Sequence, residues 1–119
     1  MTLVDTSVWA NHFRSAQPDL IRLLEEGDVG MHPFVIGELA AGSLKNRAAT
    51  LADFAALPQA SIASEAEVHH LLESRRLWGT GLGWIDLHLL TSAMLAGWQL
   101  FTADRAMLKA AETLGLAGT

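Results

Sequence analysis

The chain has 119 residues, half of them hydrophobic and 18% charged, with a net charge of −5 and no cysteine. That length suits one domain around one sizeable core, and the composition excludes a disordered chain as well as disulfides, thiolate chemistry and cysteine-based zinc sites. No apolar run is long enough to cross a bilayer, and Met1-Thr2-Leu3-Val4-Asp5 lacks the pattern of a signal peptide, so a cytoplasmic protein is expected.

Ala and Leu fill 39 of the 119 positions, and both favour helix, so many helices and a few short strands are expected. Thr2-Leu3-Val4 reads as a buried strand ending at Asp5. Asp5, Thr6 and Ser7 offer N-caps for a helix through Val8, Trp9 and Phe13. Pro18 suits the first position of the next helix, and Gly27 its end. Residues 28–32 read as a short strand, and Pro33 opens a helix that carries Glu38 and closes near Gly42. Residues 45–57 read as a helix stopped by Pro58, and 59–62 as a brief strand. Ser64 and Glu67 form a capping box for a helix expected to run to about Trp78. Beyond Gly79, Gly81 and Gly83, residues 84–96 are helical with Gly97 as the stop. Residues 99–102 make the last strand and 105–114 the last helix. Strands alternating with helices predict one α/β domain over 1–119, a three-layer sandwich on a short parallel sheet.

Asp5 and Asp104 follow the first and last strands, and in open parallel sheets ligands bind beyond the carboxyl ends of strands. Glu38 interrupts the apolar run Val35-Ile36-Gly37-Glu38-Leu39-Ala40-Ala41, and Asp86 interrupts Trp84-Ile85-Asp86-Leu87-His88-Leu89-Leu90. These four have the most apolar surroundings of the 13 acids, and an acid buried among apolar neighbours needs a partner. Each alone admits an ordinary role. Asp5 or Asp104 can cap the helix that follows, and Glu38 or Asp86 can pair with an Arg or face solvent. Together they point to a metal site, because no basic residue adjoins Glu38 or Asp86 and gathered carboxylates repel unless a cation joins them. Oxygen-only ligation favours Mg2+ or Mn2+ over zinc. Such a site suits phosphodiester hydrolysis, where the metal activates water and stabilises charge on the phosphate. With the four set aside, nine acids face eight basic residues, so the acidic balance weakens a nucleic-acid partner without excluding it.

Four motifs carry a resemblance: Val4-Asp5-Thr6-Ser7-Val8-Trp9, Glu38-Leu39-Ala40-Ala41-Gly42, Trp84-Ile85-Asp86-Leu87-His88-Leu89-Leu90 and Leu100-Phe101-Thr102-Ala103-Asp104. In order and spacing the chain resembles the PIN-domain ribonucleases, and more closely the VapC-type toxins of prokaryotic toxin–antitoxin pairs. The resemblance spans nearly the whole chain. It implies a PIN-like α/β/α sandwich and catalytic, metal-binding acids at Asp5, Glu38, Asp86 and Asp104. Asp5 and Asp86 would ligate Mg2+ or Mn2+ directly, with Glu38 and Asp104 acting directly or through waters. Thr6 or Ser7, and Thr102, match hydroxyls that orient the acids and water. The resemblance also implies a homodimeric toxin that cleaves cellular RNA (tRNA, rRNA or mRNA). A small VapB-type antitoxin would hold it inactive, wrapped over its helices and acidic crevice. There are departures. Thr80 stands where similar toxins often carry a basic residue, which bears on RNA contacts there. Thr91 and Ser92 stand where small apolar residues are common, a change expected to affect helix packing alone.

The remaining residues read as structural. His69 and His70 point to different helical faces, His12, His32 and His88 share no ligand spacing, and His88 lies on another face from Asp86. Arg14, Lys45, Arg47, Arg75 and Arg76 make either a phosphate-binding rim or a solvated face, the latter favoured for cations on helices. Trp9, Trp78, Trp84 and Trp98 are expected in the core or at an interface. Two other functions fit the same acids. A housekeeping nuclease for RNA processing is disfavoured because a chain this short leaves no room for added recognition domains. A catalytically silent PIN-like binding module is disfavoured because all four acids are retained. A phosphoryl-transfer enzyme with an aspartyl nucleophile would carry Asp-x-Asp, but Asp5 is followed by Thr6 and Ser7.

Overall fold

Leu3 and Val4 point to opposite faces of the first strand, and both are fully buried. That strand, β1 (Thr2–Val4), is therefore covered on both sides, and it is the middle one of three. In the computed structural model, which describes residues 1–118, β1 leads through α1 (Thr6–Arg14) and α2 (Pro18–Glu25) to β2 (Val29–Gly30). Then come α3 (Pro33–Ala41), α4 (Arg47–Ala56), α5 (Glu65–Ser74), α6 (Trp84–Ala96), β3 (Gln99–Phe101) and α7 (Arg105–Thr113). The strand order is β2-β1-β3 and both pairings are parallel, with Leu3 facing Gly30 on one side and Leu100 on the other. Single bridges from Met31 to Gln59 and from Leu100 to Ala117 widen the sheet at its two edges. The architecture is the expected α/β sandwich. Its core is continuous from Leu3, Met31 and Leu100 in and beside the strands to Leu20, Val35, Val68, Leu89, Leu90 and Met107 on the helices.

Local sequence explains most element boundaries. Pro18 and Pro33 sit in the first turns of α2 and α3, where the missing N–H has no helical partner to lose. In α6 every residue from Leu87 to Ala93 is buried, as expected of a helix apolar all round and enclosed by its neighbours. It ends at Gly97, whose φ of 69° is left-handed, and the Trp98 N–H turns back to the Ala93 carbonyl at 2.9 Å. Only glycine takes that conformation without cost. The turn feeds the chain straight into β3.

Two segments depart from expectation. The helix after Ser64 stops at Ser74, short of Trp78. Arg76 takes a φ of 53° and Leu77 closes back on the Leu72 carbonyl at 3.0 Å. This is the same terminal motif as at Gly97, with an arginine in the left-handed position, and it delivers Leu77 into the core. Residues 59–62 make one bridge instead of a strand. The Gln59 side chain donates to the Phe54 and Leu57 carbonyls, closing the end of α4, while Ser61 and Ile62 lie exposed. Among the described residues no helix is long and apolar enough to cross a membrane.

Candidate active site at the carboxyl ends of the strands

β1 has β2 on one side and β3 on the other, so the connections leaving its carboxyl end face a topological switch point, the usual position of a ligand crevice. Asp5 stands there. Its N–H donates to the Phe101 carbonyl at 2.9 Å, tying β1 to β3, and it is only 6% exposed. Asp5 occupies the position preceding α1, yet its side chain makes no capping bond. Its Oδ2 instead accepts from Ser7 Oγ at 2.9 Å and from Thr102 Oγ1 at 2.8 Å. Each of those hydroxyls in turn accepts a backbone N–H, Ser7 from Ala103 at 3.0 Å and Thr102 from Asp104 at 3.1 Å. A hydroxyl whose acceptor side is occupied has its proton free to donate. Both protons are aimed at Asp5, so the carboxylate is fixed as an acceptor by its surroundings.

The other three acids arrive on different elements. Asp86, half-buried in the first turn of α6, accepts the Gly83 N–H at Oδ2, 2.9 Å away. Burial pushes the Asp86 carboxyl above its ordinary range. The Gly83 bond opposes that shift, and the charges of Asp5 and Asp104 reinforce it. Asp5, Asp86 and Asp104 therefore share one field. Asp104 is exposed and caps α7, accepting the Met107 N–H at 2.9 Å. Glu38 is exposed on α3 and accepts from Thr6 Oγ1 at 2.7 Å, which joins it to the residue after Asp5.

All four expected acids thus gather around the end of β1, but their environments differ from the one their apolar sequence surroundings suggest. Asp5 alone is buried. Helical periodicity turns Val35 and Leu39 inward and leaves Glu38 outside. An ordinary capping role holds for one oxygen of Asp104 and fails for Asp5. Among the described residues none of the four pairs with a Lys or Arg, and no three Asp, Glu or His side chains already stand within reach of one ion. The donor set itself consists of carboxylates and hydroxyls, with neither thiolate nor imidazole in contact. Its chemistry fits a hard divalent cation.

Behind the acids lies a network that sequence reasoning missed. His32 is fully buried at the start of α3, and its Nδ1 accepts the Phe34 N–H at 2.9 Å. Its proton is consequently on Nε2, which donates to Ser92 Oγ at 3.0 Å, and Ser92 donates to the Ser61 carbonyl at 2.8 Å. Burial, with help from His88, lowers His32 to about 4. His88 is lowered by burial too, against the pull of Glu65, and it sits edge-on between the rings of Phe34 and Trp84. Ser92 therefore does more than pack. It ties α6 to the cap of α3, and the one signal for it was a polar pair, Thr91-Ser92, inside an apolar helix. Of the tryptophans, Trp9 is buried against Phe54 as expected, whereas Trp78 and Trp84 are exposed.

The chain is similar to known proteins in both sequence and fold. A family model described as the PIN domain matches residues 2–113, a span that includes all four acids. Ribonuclease VapC32 of Mycobacterium tuberculosis, in two strains, is 45% identical over 118 residues, covering 98% of this chain and 95% of the relative. Among solved structures, PAE2754 from Pyrobaculum aerophilum superposes with a TM-score of 0.62 over 95% of this chain and 90% of that one. At 20% identity that likeness speaks for the fold alone. With a family model that spans 2–113 and a relative 45% identical over nearly the whole chain, the chain belongs to the PIN-domain family and, within it, to the VapC type.

Proposed function

We propose that this chain is a metal-dependent endoribonuclease, the toxin of a toxin–antitoxin pair, acting in the cytoplasm on cellular RNA. The observation that carries the reading is Asp5, buried at the switch point and held by two hydroxyls, with Asp86 pushed up by burial and, to a smaller extent, by the charges of Asp5 and Asp104. Its likeness to proteins named as ribonucleases supports the same reading. Mg2+ or Mn2+ would be held by Asp5 and Asp86, with Glu38 and Asp104 contributing directly or through waters. When bound, the ion supplies water activation and charge stabilisation at the phosphate. Ser7 and Thr102 keep Asp5 from rotating, and Thr6 orients Glu38 through Oε1. That leaves the second Glu38 oxygen, on an exposed side chain, free for the ion or for a water bound to it.

A VapB-type antitoxin and a second copy of this chain are the partners proposed with it. An apolar groove of about 470 Å3 between α5 and α6, with Leu95 60% exposed beside it, supports association of copies.

Asp5→Asn tests the assignment. Asn is nearly isosteric, and its carbonyl oxygen can keep both hydroxyl bonds, so the fold should survive. It lacks the charge that holds a divalent cation in a carboxylate site. Cleavage of total cellular RNA and toxicity on expression should both be lost while circular dichroism matches wild type. A folded Asp5→Asn protein that cuts RNA at the wild-type rate would sink the nuclease assignment.

A further inference from the structure

Beside the acids runs a groove of about 420 Å3, lined by Thr6, Phe13, Arg14, Glu38, Leu44 and Lys45 among others. Its near end is the Thr6–Glu38 hydrogen bond, so the groove and the acid cluster share Glu38. Phe13 stands 49% exposed at its wall. Arg14 and Lys45 have no acidic partner within ion-pair distance among the described residues, whereas Arg22 on α2 lies 3.8 Å from both Asp19 and Glu26. Arg14 also donates to Asn11 Oδ1 one turn back on α1, which orients its guanidinium.

We infer that this groove seats the nucleotide next to the scissile phosphate, with an unpaired base against Phe13 and Leu44 and a backbone phosphate at Arg14 and Lys45. The inference rests on the ribonuclease reading above. A strand whose phosphate lies at Asp5 and Asp86 has to leave the cluster, and the groove opens on the cluster through Glu38. A polyanion entering a field of uncompensated carboxylates needs positive charge close by, and these two cations are not neutralised by neighbours. An exposed aromatic wall accepts the face of any base. A base held in a duplex offers no free face, so the substrate is single-stranded or looped RNA. Arg14 and Lys45 thus belong to the phosphate-binding rim and not to a solvated face.

The test compares wild type, Arg14→Ala/Lys45→Ala, Phe13→Leu and, as a distant control, Arg22→Ala, all shown folded by circular dichroism. Binding of a fluorescent single-stranded RNA octamer is followed by anisotropy in EDTA, and its cleavage is followed with Mg2+. The double variant should raise Kd and KM roughly tenfold with kcat near wild type. It should also flatten the dependence of log affinity on log salt by about 0.7 per lost phosphate contact. Phe13→Leu keeps the apolar volume and loses the stacking face, so it should weaken binding severalfold without changing the salt slope. Arg22→Ala should leave every value unchanged. If wild type cleaves and the double variant matches its Kd, KM and salt slope, the inference is overturned and the groove belongs to a protein partner. If wild type binds through these residues yet never cleaves, the ribonuclease reading falls and the RNA seat stands.

Discussion

One imidazole joins the helices that carry Glu38 and Asp86. His32 accepts the Phe34 N–H through Nδ1, a bond that requires the neutral ring, and donates through Nε2 to Ser92 on α6. Because folded His32 titrates at about 4 and the unfolded side chain at 6.5, the sign is fixed. Stability is whole above pH 6.5, declines as the unfolded chain takes up a proton between 6.5 and 4, and levels off below. The span corresponds to about 3 kcal/mol. Urea midpoints measured from pH 7.5 down to 4 should fall accordingly, and His32→Gln should flatten the decline. Parallel profiles for the two proteins would remove His32 as the cause. Residue order announced this network only through the polar pair Thr91-Ser92, because His32 and Ser92 meet only once α3 and α6 are packed. The four acids were legible for the opposite reason. Each interrupts an apolar run or ends a strand, and a carboxylate in such a place is costly enough to call for an explanation. Their exposure was not legible, since it depends on which face each helix buries.

At the scale of elements, those bounded by strong local chemistry fall where the residues put them. Pro18, Pro33, the Ser64–Glu67 capping box and Gly97 each act within one turn, and α6 spans 84–96 as its pattern indicates. Boundaries set by tertiary demands do not. Arg76 takes a left-handed turn that buries Leu77, and residues 59–62 pair only at Gln59 because the chain facing them leaves the sheet after Met31 and enters α3 at Pro33. Gly30 belongs to this second kind. A Cβ there would lie 2.3 Å from Cζ3 of the Trp98 ring, which packs over β2 just before the chain enters β3. A planar ring has few ways to yield, so Gly30→Ala should destabilise by roughly 1–3 kcal/mol, in the range of other overpacked sites. The expected readout is a melting temperature several degrees lower. Trp98→Leu should restore part of the loss in the double variant. An unchanged melting temperature for Gly30→Ala would mean that the ring moves freely.

For the molecule as a whole, the acid cluster sets stability against function. With its carboxyl raised by burial and by Asp5 and Asp104, ionised Asp86 detracts from folding. Its contribution is full when the group is protonated and is lost as pH rises through the folded value. Asp86→Asn can keep the Gly83 bond through its carbonyl oxygen. In EDTA at pH 7 it should therefore melt above wild type. Millimolar Mg2+ or Mn2+ should raise wild type by several degrees, since a ligand at a hundred times its Kd adds about 2.7 kcal/mol, and should raise the variant much less. Equal shifts for both would count against Asp86 as a ligand. The strand order has a consequence for synthesis. β1 is made before β3, and of the two hydroxyls that steady Asp5 only Ser7 is made with it, since Thr102 follows β3. A nascent chain that has emerged only to Gly97 holds Asp5, Glu38 and Asp86 but lacks Thr102 and Asp104, with the edge of β1 unpaired. Asp5 therefore waits without its later partners while the helices are made, and the crevice can close only once the stretch from Gln99 to Asp104 has followed α6.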